Sequence, residues 1–305
     1  MPTPRATPAS AQLTLGTNTT SLVNLVLAGL PSPATRRSYA SALEALTRFC
    51  EGRPLTLVLL LEWRAELAKR LAYGTVNRHL SAAKTLIRVA KRKGMIGVEE
   101  ASELLELRGM PFKDTRAHNW LTRLQARDLL AVPDRKTLRG KRNYCILALL
   151  LGCGLRRAEL STLDVKILQQ RMGRWVLLGI KGHGARVRTV AVPDWVMVAI
   201  EEWRQVAKIA SGRLIRQTTL KPEGLSSRGV CKIVADAGAK IGVPTLTPHD
   251  LRRTCAQLCR NPEDGSKGDI EQIQFMLGHA DVRTTQRYLG TGQGLDHAIN
   301  DALGL

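Results

Sequence analysis

His249 and Arg252 stand three apart, a spacing that puts an imidazole and a guanidinium on one helical face, where both can hold the same anion. His279 follows in the run Leu277-Gly278-His279, and beyond it comes Tyr288. Upstream, Leu155-Arg156-Arg157-Ala158-Glu159-Leu160 opens a helix, and Lys181 begins the Gly-rich run Lys181-Gly182-His183-Gly184-Ala185. A guanidinium fork binds phosphate oxygens bidentately and keeps its proton. A lysine can protonate a departing oxygen, and a tyrosine can attack phosphorus. These residue types therefore point to phosphate handling with a tyrosine nucleophile. A tyrosine near a helix end is more often a packing residue, and a single histidine is more often structural; the ordered combination raises the chemical reading. Residue type alone leaves Arg157 and Arg253 as rivals to Arg156 and Arg252. Arg186 and Arg188 follow Lys181 closely.

The elements that must position these groups can be read from periodicity. Trp175 to Ile180 and Val187 to Val192 predict two strands around the Lys181 hairpin, which can dip into a groove. Asn143 to Leu151 is an apolar run suited to a buried helix, and Gly152-Cys153-Gly154 turns the chain just before Arg156. Leu121 to Val132, Trp195 to Ala210 and Ser226 to Gly238 also predict helices. Pro244 and Pro248 bracket a loop ahead of the His249 helix. Between His279 and Tyr288 lies a turn and one helix, with Asp281 as N-cap and Gly290 as C-terminal stop.

The first third of the chain is helical and basic. Thr35 to Cys50 carries Tyr39, Leu43, Leu46 and Phe49 as one stripe, with Arg36 and Arg37 on its other sides. Leu55 to Ala72 predicts a further helix. From Thr75, as cap, to Gly94, the residues Val76, Leu80, Ala83, Ile87 and Ala90 form a core stripe. Arg78, Lys84, Arg88, Lys91 and Arg92 fill the remainder. Composition shifts over Gly97 to Asn119, acidic and then basic, which marks the interdomain linker. The boundaries drawn are a flexible tail at 1–20, a helical domain at 21–108, the linker at 109–119, a second domain at 120–291 and a tail helix at 292–305.

Charge narrows the partner. Lys and Arg number 46 against 26 acids, a net +20. An excess of that size points to a polyanion, with nucleic acid the default. Aromatic residues make up only 4%, which disfavours stacking platforms for single strands and favours duplex phosphates. The 6 cysteines lack zinc spacing and read as core thiols in a reducing, cytoplasmic setting. No metal set and no cofactor motif appears. Met1 to Thr20 has no apolar core of the signal-peptide kind, and Leu22 to Leu30 is too short to span a bilayer, so no membrane role is expected.

In order, Gly154-Leu155-Arg156-Arg157-Ala158-Glu159-Leu160, Lys181, His249-x-x-Arg252, Leu277-Gly278-His279 and Tyr288 form a set that resembles the tyrosine recombinase (phage integrase) family, with its Cre-like, Xer-like and lambda-type enzymes. The likeness covers Trp120 to Gly290, and Gly268 to Gln274 looks like integrases of this group. Ser32 to Tyr39 is similar, more weakly, to the family's core-binding domain. The resemblance implies a mainly α fold with a small β-sheet, comprising an N-terminal helical core-binding domain of SAM-like type and a C-terminal catalytic domain. Its register selects Arg156 and Arg252 as the phosphate clamp. It also implies Tyr288 as nucleophile, Lys181 as general acid, His249 and His279 as phosphate or proton partners, and Glu159 as an accessory acid. His183, Arg186 and the basic residues of the first domain would meet DNA backbone.

The implied activity is site-specific recombination or integration through a 3′-phosphotyrosyl intermediate, without metal. The implied partner is double-stranded DNA with paired inverted half-sites, in the bacterial nucleoid or the host cell of a mobile element or phage. Leu295, Ala298, Ile299, Ala302 and Leu303 form an apolar stripe on a short tail helix after a glycine-rich tether. The resemblance implies that such tails are exchanged cyclically within a DNA-bound homotetramer. Two alternatives are a type IB topoisomerase-like relaxing enzyme, which needs no such tail, and a non-catalytic DNA-binding accessory protein.

Overall fold

Two apolar patterns, one helical and one alternating, build this chain. The computed structural model describes residues 13–15, 19–111, 120–182, 187–219, 223–263 and 265–289. Its contacts divide the chain into two compact units, Met1–Thr115 and Arg116–Leu305.

The first unit packs α1 (Thr19–Ala28), α2 (Pro33–Cys50), α3 (Leu57–Arg70), α4 (Tyr73–Arg92) and α5 (Val98–Glu106). Helix α2 starts before the expected Thr35: Pro33 pre-sets the first turn, and Ser32 Oγ accepts the Thr35 N–H at 3.4 Å. Helix α4 likewise starts at Tyr73 rather than at Thr75, since Gly74 is tolerated inside a first turn. The stripe Val76, Leu80, Ala83, Ile87 and Ala90 is buried, and Ala82, Leu86 and Val89 widen it. Two expectations are corrected. Val98–Glu106, inside the 21–108 boundary but taken by its composition as linker, is a helix of this unit, because Ala101 and Leu104 share a face and bury it. Within the stretch read as a flexible tail, Leu13 and Leu15 are buried in the same core, and the Leu13 carbonyl accepts the Leu55 N–H at 2.7 Å.

The second unit contains α6 (Arg123–Ala131), α7 (Leu138–Cys153), α8 (Arg157–Thr162), strands β1 (Leu168–Arg171), β2 (Arg174–Lys181) and β3 (Val187–Ala191), then α9 (Asp194–Val206), α10 (Ser227–Lys240), α11 (Pro248–Arg260), α12 (Ile270–Leu277) and α13 (Val282–Leu289). Helix α7 is its centre, with every residue from Cys145 to Leu151 buried, and it packs against α9 and α11. The sheet is antiparallel in the order β1-β2-β3. Strand β1 was not expected. Leu-Gln-Gln-Arg carries no apolar alternation, and the strand exists because Met172 and Gly173, both at positive φ, close a tight hairpin onto β2. A register shift between Leu177 and Ile180 accompanies Gly179 at φ +75°. Among the described residues, no helix is long and apolar enough to cross a membrane.

Candidate active site

Helix α11 begins with a reciprocal cap. Thr247 Oγ1 accepts the Asp250 N–H at 3.3 Å, and Asp250 Oδ2 accepts the Thr247 N–H at 2.9 Å. Pro248 occupies the first helical position, so His249 and Arg252 project from an anchored first turn. His249 is exposed, whereas Arg252 is only 1% exposed. Arg252 donates through Nη1 to the Gly154 carbonyl and through Nη2 to the Leu277 carbonyl, tying α11 to the ends of α7 and α12. Gly154 ends α7 at φ +57°, and a Cβ there would lie 3.1 Å from Leu277 Cδ2 and 3.4 Å from Cys255 Sγ.

That turn delivers Arg156 to the N-cap of α8. Glu159 Oε2 accepts the Arg156 N–H at 2.8 Å, and Glu159 Oε1 accepts from Arg156 Nη1 at 2.8 Å. Arg188 of β3 completes the cluster with a fork onto both Glu159 oxygens, each contact 2.8 Å. Burial pushes the Glu159 carboxyl up, but hydrogen bonds from Arg188 and Arg156 and the Arg188 charge outweigh it and hold it at about 2. Arg156, His249 and Arg252 line one cleft of about 650 Å³, whose other walls include Cys231, Leu246 and Pro248. Arg157 is exposed and donates to Cys231 Sγ at 3.1 Å.

His279 follows Gly278, which ends α12 at φ +65°. Its Nδ1 lies 2.9 Å from the hydroxyl of Thr285, a residue 0% exposed. Burial and the cations Arg252, Arg156 and Arg188 push the His279 ring down to about 4. His249 is also lowered, by lost hydration on its protein side and by Arg253 and Arg252. Both rings are therefore neutral at pH 7. Asp281 Oδ1 accepts the Arg283 N–H at 2.8 Å ahead of α13, and Gln257 Nε2 donates to the Leu289 carbonyl at 2.6 Å. Tyr288 falls within α13; its side chain lies outside the described residues.

The other residues named from the sequence are more scattered. Lys181 is the exposed last residue of β2, opposite Val187, so it stands at the root of the hairpin and not at its tip. It does not line the cleft. His183, Arg186, Gly290 and the tail 292–305 lie outside the described residues. In the first unit, Arg36 and Arg37 are exposed on α2; Arg78, Arg88 and Arg92 are exposed on α4, with Lys84 and Lys91 half-buried. At about 100° per residue, the five basic residues of α4 share one arc of about 140°, opposite the core stripe. Of the cysteines read as core thiols, Cys259 is exposed and Cys231 half-buried.

Sequence reasoning missed Arg188, Thr285 and Gln257. Arg188 did carry a signal: it shares strand parity with the buried Val190, so its guanidinium had to enter the protein. Thr285 and Gln257 carried none: Thr285 meets His279 only across the turn between α12 and α13, and Gln257 bonds the main-chain carbonyl of Leu289.

Residues 119–292 match the family model described as the phage integrase family. A tyrosine recombinase of Synechococcus elongatus is 30% identical over 238 residues, covering 76% of this chain and 72% of the relative. A tyrosine recombinase XerC of a Mycobacterium species is 29% identical over 292 residues, covering 88% and 92%. Among solved structures, a lambda integrase dimer bound to a COC′ core site superposes with a TM-score of 0.73 at 16% identity, over 93% of this chain and 99% of that one. The Tn1549 transposon integrase in complex with transposon right end DNA gives 0.71 at 18% identity, over 95% and 97%. At such identities the structural likeness concerns the fold.

Proposed function

The chain belongs to the phage integrase family of tyrosine recombinases, enzymes that break and rejoin DNA in site-specific recombination, and from that premise we propose that Tyr288 is its nucleophile. The phenol attacks a DNA phosphorus, the P–O5′ bond breaks, and a 3′-phosphotyrosyl linkage keeps the energy of the phosphodiester. Arg156 and Arg252 hold the non-bridging oxygens as charge develops. Lys181 gives its proton to the departing 5′-oxygen, and His249 accepts the tyrosine proton or donates to the phosphate. A neutral His279 donates from one nitrogen only. In the tautomer whose Nδ1 accepts from the Thr285 hydroxyl, that donor is Nε2, which would serve a non-bridging oxygen. Glu159 holds Arg156 in place. Attack by the 5′-hydroxyl of a second duplex on the phosphotyrosyl bond reverses each step and rejoins the strands.

The observation that carries this reading is the convergence of Arg156, His249 and Arg252 on one cleft within the family-matched stretch. The proposed substrate is duplex DNA with paired inverted half-sites, as in the palindromic substrate bound by the similar XerH recombinase. The basic arc of α4 and the exposed Arg36 and Arg37 would lie on its backbone, giving the first unit the role of a core-binding domain. His183 and Arg186 would add contacts from the hairpin. Two duplexes would be held by four subunits, with the apolar stripe of the tail helix docking on a neighbour.

A pool of random-sequence duplexes carrying single nicks tests the cleavage step. A nick near the scissile bond lets the freed strand diffuse away, so wild-type protein should give a covalent complex that survives a denaturing gel. Tyr288→Phe should bind the same DNA and give none. A covalent band with the Phe variant would assign the nucleophile elsewhere.

A further inference from the structure

Arg188 sits on β3 with its side chain only 8% exposed, and its guanidinium is engaged at all three nitrogens. Nη1 and Nη2 donate to the two oxygens of Glu159, and Nε donates to the Met276 carbonyl, each at 2.8 Å. Its aliphatic stem lies against the turn before His279: a Cβ on Gly278 would fall 2.8 Å from Arg188 Cδ. In the ladder Arg188 is opposite Ile180, the residue that precedes Lys181. Through its side chain Arg188 thus meets the Arg156–Glu159 turn and the end of α12, while its main chain pairs at the root of the Lys181 hairpin. Burying a guanidinium and a carboxylate is offset only by complete pairing in good geometry, which makes this junction stiff and intolerant of half-measures.

We infer that Arg188 is a positioning residue for strand cleavage: it fixes the Arg156 turn, the His279 segment and the strand end bearing Lys181 relative to one another. It touches no substrate and acts through Glu159 and the α12 main chain. The inference rests on the cleavage reading above. It differs from a merely stabilising ion pair in what it predicts for titration. Glu159 is faced by Arg156 from its own turn and by Arg188 from β3, and the neighbouring His279 senses both arginines. Without Arg188, burial of the Glu159 carboxyl is opposed by Arg156 alone, so the carboxyl would take up a proton at higher pH and loosen its hold on Arg156.

The test uses full-length protein and the duplexes recovered as covalent complexes from the nicked pool. Arg188→Met should cleave about 10²-fold more slowly at pH 7, the scale expected for small misplacements of reacting groups, while retaining DNA binding. Its rate should also fall along an acid limb absent from wild type. Arg188→Lys keeps the charge and loses the fork; it should recover part of the rate and have no such limb. A DNA-free measurement runs beside these: the His279 ring, followed by NMR, should titrate at higher pH in Arg188→Met and close to wild type in Arg188→Lys. Wild-type rate and pH profile in Arg188→Met would overturn the inference, as would an unmoved His279 titration. Should the Met variant fail to fold, a wild-type cleavage rate in Arg188→Lys overturns it instead. If wild-type protein forms no covalent complex at all, the cleavage reading fails, and the His279 titration still decides whether Arg188 organises this cluster.

Discussion

Glu159→Gln removes one charge and almost no volume, and so isolates what the carboxylate does between two arginines. In the folded unit this carboxyl is held at about 2 against an ordinary 4.5. A depression of that size corresponds to about 3 kcal/mol of stability at neutral pH. Solvent reaches Arg156, whose side chain is 32% exposed, and screens that arm to about half its strength, while Arg188 at 8% gains almost no screening. The amide would also leave the Arg188 charge buried without a counter-charge, a loss of about 3–5 kcal/mol for buried pairs. These two figures describe one interaction and do not add, so the expected cost is about 3 kcal/mol. For a unit of 150–250 residues that lowers Tm by about 6–12 °C. Calorimetry of full-length protein should show this drop in one transition at pH 7. Because the folded carboxyl titrates below the unfolded one, its stabilisation is complete above pH 4.5 and is lost as pH falls towards 2. The difference between wild type and variant should therefore stay constant from pH 7 to about 5 and contract below that. A Tm within 2 °C of wild type at pH 7, or a difference that does not shrink in acid, would refute the argument.

Lys181→Ala should lose cleavage on a normal duplex and recover it on one whose 5′-bridging oxygen is sulfur, since a thiolate departs without a proton; equal loss on both substrates would move Lys181 to phosphate binding. Chelation with EDTA should leave the cleavage rate unchanged, because two guanidinia and an ammonium supply the positive charge; abolition of the covalent band would show that a metal is needed. Gly154→Ala should cost about 1–2 kcal/mol for the left-handed backbone alone. It should also slow cleavage, because the new methyl crowds Leu277, whose carbonyl, like that of Gly154, receives Arg252; an unchanged melting curve would refute this. Each rate is read from covalent complex on a denaturing gel, and the Gly154 stability by thermal denaturation.

The helical stripes and the order of the chemical groups were legible in the sequence because both are local. A stripe such as Val76, Leu80, Ala83, Ile87 and Ala90 repeats with the helix itself, and the His249–Arg252 spacing guarantees a shared face wherever that helix packs. The ordered set from Arg156 to Tyr288 sufficed for the family, and the net charge of +20 for a polyanionic partner. Local signals faltered where packing overrode composition. Val98–Glu106 looked like a linker because its exposed face is acidic, yet two buried residues were enough to dock it. Strand β1 owes its state to a two-residue turn and a neighbour, not to its own side chains.

Which arginines pair with which atoms lay beyond any reading of the chain. Glu159 and Arg188, 29 residues apart, meet only because β3 runs antiparallel to β2 and returns past the first turn of α8. Thr285 reaches His279 across the turn into α13, and Arg252 finds its acceptors in main-chain carbonyls that every residue possesses. Periodicity can assign a side chain to a face, but it contains no term for the distance between faces. The groups available for chemistry were therefore set by the sequence, whereas their partners and pKa values were decided by the tertiary structure, since burial and Coulomb interactions depend on separation in space and not along the chain.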